Sequence, residues 1–285
     1  MIENTPLFIL GNPRSGTSLF RIILNAHPNI VIPPESGFVQ WWYPKYKDWS
    51  IVDCTSVKIA EYITDLLSSK KIESFGIDAD ALENYILKSQ PQTYAALSAC
   101  VYFFYGNKKE VKVWGDKNNY YIRHIALLKE IYPKAKFVHL VRDGRDVACS
   151  YKELSENLEK DALYRPKLSS EIKTIAEEWQ TNNKKIANQI KDHEHITIRY
   201  EDVVLNFDET IKSVLAFLKL PWSSLVSHYY ELNDESAITL KWKEKTLKPL
   251  DKNVVGRFIK DLTNEEITAF DEIASDCLRK FRYLV

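Results

Sequence analysis

A short loop near the start of the sequence carries residues that can bind a compact anion. The apolar run Leu7–Gly11 is of strand type and ends at Gly11. Gly16 follows at the G-x-x-x-x-G spacing. A helix that begins after the loop would aim its first N–H groups at one anion, and Arg14 adds a positive charge. An ordinary glycine-containing turn is the alternative. The residues whose backbone N–H groups would face the anion are Ser15, Gly16, Thr17 and Ser18.

This loop differs from the phosphate loop of a kinase in the residue that follows the second glycine. A nucleotide-triphosphate P-loop has a lysine there, which neutralises the β- and γ-phosphates. This sequence has Thr17 at that position, and its cation, Arg14, comes earlier. One guanidinium and a ring of amides suit a short anionic group that needs no Mg²⁺, and no metal site is predicted. A P-loop small-molecule kinase and a non-catalytic nucleotide-binding protein remain the alternative classes.

A second anion site follows a later apolar run. Arg142 comes directly after Lys136–Val141, and Ser150 lies within the helix that follows. An arginine and a hydroxyl at this separation can hold one phosphate from two sides. Because loops after parallel strands open on the same edge of a sheet, the two anion sites should share one ligand with two phosphate-type groups. A capped turn with surface arginines is the alternative.

Together these segments resemble the sulfotransferase superfamily, whose members use 3′-phosphoadenosine 5′-phosphosulfate (PAPS). Residues 13–18 resemble the 5′-phosphosulfate loop of the family, and residues 141–150 resemble its 3′-phosphate motif. Residues 196–204 are similar to a later strand, and residues 247–258 resemble a C-terminal loop that closes over the cofactor. The resemblance therefore implies PAPS as co-substrate. Besides the first loop, it places four residues at the cofactor: Arg142, Ser150, Tyr200 and Arg257.

The resemblance also implies a set of catalytic groups. Lys117 matches the catalytic lysine of the family, and with Arg14 it would stabilise the leaving phosphate. Glu35 matches the base of the tyrosylprotein branch, whereas the cytosolic small-molecule branch has a histidine at the position of Asn119. The implied reaction is in-line transfer of a sulfonate to an acceptor hydroxyl or amine, with Glu35 as general base. The alternative candidates for the base are Asp116 and His27.

Two clusters of aromatic residues flank the predicted catalytic groups. They could form a wall for a ring, a sugar face or an acyl chain, or they could pack the core of their own part of the chain. The acceptor is accordingly predicted only as a class, namely a small molecule, a carbohydrate or a peptide tyrosine. The clusters are Trp41, Trp42, Tyr43, Tyr46 and Trp49, and Tyr102, Phe103, Phe104 and Tyr105.

The elements that would position these residues indicate an α/β fold. Short apolar runs alternate with helical patterns, which predicts a P-loop-like central parallel sheet of about five strands flanked by helices. Residues 38–110 have no strand signal and are predicted to form a helical insertion on the acceptor side. No linker divides residues 1–285, so a single domain is predicted. The predicted strands are Leu7–Gly11, Ile30–Pro33, Val111–Trp114, Lys136–Val141 and His195–Arg199.

Helical periodicity predicts the helices that flank this sheet. Asn264 is predicted as the N-cap of the last helix, because Glu265 and Glu266 follow it in the first turn. The predicted helices are Ser18–Asn25, Ser56–Ser69, Asp80–Lys88, Ile122–Ile131, Arg145–Leu154, Ser170–Asp192, Asn206–Leu218 and Asn264–Phe281.

Composition excludes several other classes. The 285 residues include 39 Lys and Arg and 39 Asp and Glu, so the formal net charge is zero and nucleic acid is not the expected partner. The apolar runs are shorter than the ~20 residues needed to cross a bilayer. Four cysteines are scattered without C-x-x-C spacing, which indicates reduced thiols and a cytoplasmic location.

Overall fold

A parallel sheet forms the centre of the protein. The computed structural model describes residues 5–106, 109–157, 164, 166–232 and 244–284. The sheet has five strands in the order β2-β3-β1-β4-β5, and every neighbouring pair is parallel, so the predicted fold class is confirmed. The strands are β1 Leu7–Leu10, β2 Ile30–Val31, β3 Val113–Lys117, β4 Lys136–Val141 and β5 His195–Arg199.

Helices connect the strands and lie against the sheet. Short 3₁₀ turns and a four-residue helix, Phe258–Asp261, supplement them. The longer helices are α1 Thr17–Asn25, α2 Phe38–Tyr46, α3 Ser56–Leu67, α4 Ala79–Ser89, α5 Tyr94–Tyr105, α6 Ile125–Ile131, α7 Gly144–Asn157, α8 Ile172–Ile190, α9 Tyr200–Leu205, α10 Phe207–Phe217 and the C-terminal helix Asn264–Lys280.

Alternation along β1 explains why both faces of the sheet are buried. Leu7 and Ile9 belong to a hydrophobic cluster that includes residues of α1 and α10. Phe8 and Leu10 belong to a second cluster, which includes the helices between β2 and β3. Successive side chains of a strand point to opposite faces, so a strand covered on both sides is apolar throughout. The sheet is therefore fixed between two layers, and its carboxyl edge is left for function.

The predicted insertion is helical, as expected. Helices α2 to α5 occupy the stretch from Phe38 to Tyr105, and residues 107–108 lie outside the described part of the chain. Aromatic rings form its core: the Tyr46 ring meets the Tyr62 ring edge-on, with centroids 5.1 Å apart, and Trp49 packs beside both. The insertion therefore has its own hydrophobic interior, which continues into one face of the sheet.

Several predicted boundaries differ from the structure. The N-cap of the C-terminal helix is Thr263, which forms a capping box with Glu266, so the prediction of Asn264 was wrong. Helix α6 begins later than predicted because Asn119–Arg123 form a 3₁₀ turn first. In the described part of the chain, no helix is both long and apolar enough to cross a membrane.

Candidate functional site

Every strand of the sheet is followed by one of the predicted site residues. Because all five strands are parallel, their carboxyl ends meet at one edge of the sheet, where ligands of such folds bind. The structure thus brings together residues from widely separated parts of the sequence. The residues at or just after the ends of β1 to β5 are, in order, Arg14, Glu35, Lys117, Arg142 and Tyr200.

The loop after β1 leads directly into the N-terminus of α1. Gly16 has φ 87°, and a Cβ at this position would lie 2.3 Å from the ring of Tyr200, so only glycine fits. Helix α1 has no acidic residue in its first turn, which suits an anion there. The N–H of Ser15 donates to the carbonyl of Asn12 at 3.1 Å. This bond closes the loop, and a role of Ser15 at the anion stays a prediction.

Two neighbouring helices hold this loop in place. Asn12 is fully buried, and its side-chain amide donates to the hydroxyl of Tyr151 on α7 at 3.1 Å. The amide of Asn182 on α8 donates to the Asn12 side-chain oxygen at 2.8 Å. The shape of the loop is thus set by buried hydrogen bonds before any ligand arrives.

The second predicted anion site lies against the first. The guanidinium of Arg142 donates to the carbonyl of Arg14 at 3.3 Å and to that of Val254 at 2.9 Å. It also stacks on the ring of Tyr200, with 4.7 Å between Cζ and the centroid. Arg14 Nε donates to Ser150 Oγ at 3.0 Å. Two positive side chains, a hydroxyl and an aromatic ring therefore share one corner of the sheet edge.

The electrostatics of this corner favour an anion. Burial, and then the neighbouring charge of Arg142, lower the pKa of Arg14 below its usual range. At this corner, the buried atoms Arg142 Nε and Ser15 Oγ have no hydrogen-bond partner among the described residues. A negatively charged ligand would offset the repulsion between the guanidinium groups and supply acceptors for such atoms. The residues present therefore fit a ligand that carries phosphate-type groups.

The predicted catalytic groups form an ion pair beside the loop. Lys117 is 1% exposed; its ammonium donates to Ser18 Oγ at 3.0 Å and to Oε1 of Glu35. The other oxygen of Glu35, whose side chain is 14% exposed, accepts from Lys71 Nζ at 2.8 Å. Lys71 was not among the predicted site residues, because one of two adjacent lysines just after a predicted helix resembles a solvent-exposed surface residue.

Asp116, the first alternative base, is engaged by the hydroxyls of two buried tyrosines. Its Oδ2 accepts hydrogen bonds from the hydroxyls of Tyr102 and Tyr121, both at 2.5 Å. Burial raises the pKa of Asp116 to about 7, although these two hydroxyls oppose the rise. Asp116 is thus a buried carboxyl that joins β3 to α5 rather than a group open to an acceptor.

His27, the second alternative base, has both ring nitrogens engaged. The N–H of Asn29 donates to Nδ1 at 3.1 Å, so the proton lies on Nε2, which donates to the carbonyl of Pro221 at 2.9 Å. Asn119, where the cytosolic branch has its histidine, accepts from the hydroxyl of Thr17 at 3.2 Å. Glu35 is therefore the candidate base whose position beside Lys117 fits the chemistry.

A segment near the C-terminus closes the corner formed by Arg14, Arg142, Ser150 and Tyr200. One oxygen of Asp146 accepts from the N–H of Gly256 at 2.8 Å, and the other accepts from the N–H of Phe258 at 3.0 Å. These partners lie more than a hundred residues away in the sequence, so no local pattern marks Asp146 for this role. Asp146 attaches this segment to the start of α7.

Arg257 is engaged by carboxylates in this structure. Its Nη1 donates to Glu153 at 2.7 Å, and its Nε donates to Asp261 at 2.5 Å. A role at the cofactor would require exchange of these partners, and it stays a prediction from the family resemblance.

Most members of the aromatic clusters pack the insertion. Tyr46, Trp49 and Tyr102 are buried, and the ring of Tyr102 stacks on Trp114 with 4.5 Å between centroids. Trp41 differs: it is 40% exposed and lies against Gly37, close in sequence to Glu35. The packing interpretation thus holds for the clusters as a whole, and Trp41 is their exposed member.

The chain is similar in sequence to known protein-tyrosine sulfotransferases. Protein-tyrosine sulfotransferase 1 of Danio rerio is 24% identical over 261 residues, which cover 89% of this chain and 65% of that protein. Protein-tyrosine sulfotransferase A of Caenorhabditis elegans is 21% identical over 290 residues, which cover 97% of this chain and 67% of that protein. The chain thus spans at most 67% of the length of these two relatives.

Solved structures share the fold. The sulfotransferase domain from the Synechococcus PCC 7002 olefin synthase has a TM-score of 0.60 and 19% identity, covering 95% of this chain and 94% of that chain. The sulfotransferase domain from the curacin biosynthetic pathway has a TM-score of 0.61 and 18% identity, covering 96% and 97%. Residues 6–224 match the family model described as "Sulfotransferase family". Since that match covers most of the sequence, the chain belongs to the sulfotransferase family.

Proposed function

We propose that this protein is a PAPS-dependent sulfotransferase, which transfers a sulfonate from PAPS to an acceptor hydroxyl or amine. The observation that carries the proposal is the ion pair of Glu35 and Lys117 beside Ser18 of the anion loop. Arg142 and Ser150 lie at the adjoining corner of the same edge. The candidate base, the lysine and the two proposed anion sites thus lie close together. Transfer of a sulfonate from a bound cofactor to a bound acceptor requires such a grouping.

The site residues divide between the two ends of the nucleotide. The N–H groups at the start of α1, those of Gly16, Thr17 and Ser18, would hold the 5′-phosphosulfate. Arg142 and Ser150 would hold the 3′-phosphate. The ring of Tyr200, which already stacks on Arg142, would lie beside the nucleotide. The proposal requires no metal ion, because Arg14, Lys117 and Arg142 supply the positive charge.

The chemistry follows from the charges at the transfer point. The sulfonate leaves the phosphate oxygen, which keeps the electron pair, and bonds to the acceptor oxygen, whose proton goes to Glu35. Lys117 and Arg14 would stabilise the negative charge that grows on the leaving phosphate. As in phosphoryl transfer, the protein contributes mainly positioning and charge stabilisation. Ser18 helps to hold Lys117 at the loop, so the cation and the helix N-terminus act on one region.

A peptide tyrosine is the acceptor class we propose first. The relatives that match most of this chain are named protein-tyrosine sulfotransferases, and Trp41 offers an exposed ring six residues after Glu35 in the sequence. Small phenols and carbohydrates are the other acceptors to be screened. The cytoplasmic location also stays a proposal; it is supported by cysteines that are free in the structure.

Binding and transfer assays test the proposed function. We expect saturable binding of 3′,5′-adenosine bisphosphate by calorimetry and transfer of radiolabelled sulfonate to one acceptor of the screen. Lys117→Met should lower turnover by about 10²–10³-fold, the usual effect of removing one group that stabilises transition-state charge. Lys112→Met, an exposed lysine just before β3, is the matched control and should leave turnover unchanged. Absence of bisphosphate binding, or Mg²⁺-dependent phosphate transfer from ATP, would refute the proposal.

A further inference from the structure

Glu35 is held by lysines from two separate parts of the chain. Lys117 lies on β3 and binds Oε1, whereas Lys71 lies in the insertion and binds Oε2 at 2.8 Å. The Lys71 side chain is 28% exposed and that of Glu35 is 14% exposed, so solvent screens this pair less than it would a surface pair. Each oxygen of the carboxylate thus has an ammonium partner, which fixes the plane of the carboxylate.

The backbone around Lys71 fixes where its side chain points. Lys71 has φ 67° and ψ 2°, which is uncommon for a residue other than glycine, and it begins the 3₁₀ turn Ile72–Phe75. Its N–H donates to the hydroxyl of Tyr164 at 3.3 Å, and its ammonium lies 5.6 Å from the centroid of that ring. Tyr164 in turn donates to Glu73 at 3.0 Å. The position of Lys71 is therefore determined by several contacts.

A second bond ties the same two segments together. The hydroxyl of Ser36, next to Glu35, donates to the carbonyl of Lys70 at 3.3 Å. The segment that carries the base and the turn that carries Lys71 are thus joined by a main-chain contact as well as by charge. A displacement of the turn would therefore be transmitted to Glu35.

We propose that Lys71 is a positioning residue of the transfer reaction, which holds the second oxygen of Glu35 and keeps the base oriented and ionised. The inference rests on the proposed function, in which Glu35 takes the proton of the acceptor. Lys117 must serve both Glu35 and the leaving phosphate. When its charge is shared with the phosphate, Lys71 still provides Glu35 with a cation. The insertion thereby takes part in the chemistry as well as in acceptor binding.

The charged groups around Glu35 define what a change at Lys71 should do. Lys117 faces it from β3 and Lys71 from the insertion, while Asp116 lies close enough for the charge of Glu35 to raise its pKa further. Removal of Lys71 leaves the carboxylate with less positive charge, so its proton should bind more tightly. The acidic limb of the pH profile should then move to higher pH, because more base is protonated at a given pH.

Three variants test this inference by kinetics. Lys71→Met should lower kcat about tenfold and move the acidic limb of kcat/KM up by about one pH unit, while bisphosphate affinity stays within about twofold. Lys71→Arg keeps the charge and should restore most of kcat. Lys70→Met removes the neighbouring exposed lysine and should match the wild type. Equal pH profiles for wild type and Lys71→Met would overturn the inference, as would an equal loss in Lys70→Met.

Carbon-13 NMR of labelled glutamate carboxyls separates this inference from the proposed function. The Glu35 resonance is assigned by its loss in Glu35→Gln, and it is titrated in the wild type and in Lys71→Met. We expect its midpoint to rise by about one pH unit in Lys71→Met. Identical midpoints would overturn the inference. If the midpoint rises but the wild type transfers no sulfonate, the role of Lys71 in holding Glu35 is supported, and the proposed function is what fails.

Discussion

The two sides of the site are built on different principles. The proposed nucleotide edge, formed by residues 11–18, 142–150 and 254–258, consists of guanidinium groups, hydroxyls and main-chain groups that bond across short loops. The insertion, residues 38–110, has an aromatic interior whose hydroxyls bond to buried acceptors, and it reaches the catalytic ion pair through Lys71. One side is organised by charge at the strand ends, and the other by packing of aromatic residues against one face of the sheet.

This difference separates what each side can control. The loops of the nucleotide edge are fixed to strand ends, so their charges can bind one ligand in one orientation. The insertion shares its hydrophobic cluster with one face of the sheet, so a change in its lining can affect turnover and the stability of the fold. Substitutions on the two sides should therefore affect different measurements: cofactor affinity on one side, and turnover or fold stability on the other.

Glu35→Gln should have the largest effect and should separate the two sides most sharply. Loss of the base should reduce turnover by about 10²-fold or more, while the affinity for 3′,5′-adenosine bisphosphate stays nearly intact. Steady-state transfer assays and calorimetry would measure both quantities. Glu110→Gln, which changes a carboxylate with 82% side-chain exposure, is the control. Near-normal turnover of Glu35→Gln would remove Glu35 from the role of base.

Arg142→Ala should act on the nucleotide edge alone. Loss of a charged hydrogen-bonding group should weaken bisphosphate binding by about 1.5–3 kcal/mol, which is roughly a 10- to 100-fold rise in Kd. Arg279→Ala, at an exposed position of the C-terminal helix, should bind like the wild type in the same titration. An unchanged Kd for Arg142→Ala would mean that the 3′-phosphate lies elsewhere.

Asp116→Asn should change stability rather than binding. The pKa of Asp116 is about 7 in the folded protein and near 4 when unfolded, so the folded state binds the proton more tightly between these values. The contribution of Asp116 to stability is therefore full below pH 4 and falls as the pH rises to 7, by at most about 1.4 kcal/mol per pH unit. Asparagine cannot titrate in this range.

Urea unfolding of wild type and Asp116→Asn at several pH values measures this effect. The stability of the wild type relative to the variant should fall from pH 5 to pH 7 and then level off. Asp48→Asn, at an exposed site of the insertion, should show a constant difference from the wild type. A constant difference for Asp116→Asn as well would contradict the raised pKa.

The sheet and its edge could be predicted from the sequence because their signals are local. Strands β4 and β5 have the predicted bounds. β4 is a nearly continuous apolar run that is buried after its first residue, whereas β5 lies at the edge of the sheet and alternates isoleucines with polar residues. Arg14 lies four residues after the apolar strand β1, and Arg142 directly follows β4. Because these strands are parallel, the two arginines lie at the same edge of the sheet. The pair of Lys117 and Glu35 came from family resemblance, and their direct contact appears only in the structure.

The insertion could not be predicted in the same detail, for physical reasons. Helix α5 is apolar on nearly all sides, so it has no helical periodicity to detect, and α2 contains Pro44. The partners of Lys71 and Asp146 are distant in sequence and close only after folding. A charged residue that acts through such a contact looks like any surface charge in the sequence.

The guanidinium of Arg142 joins three segments that the sequence keeps far apart, through the carbonyls of Arg14 and Val254. The stretch that the family model recognises ends at Ser224, thirty residues before the last of these carbonyls. A chain truncated after Ser224 would keep residues 13–18 and 141–150. It would lack the Val254 carbonyl that accepts a hydrogen bond from Arg142. The working unit of this protein is thus longer than the part by which it is recognised.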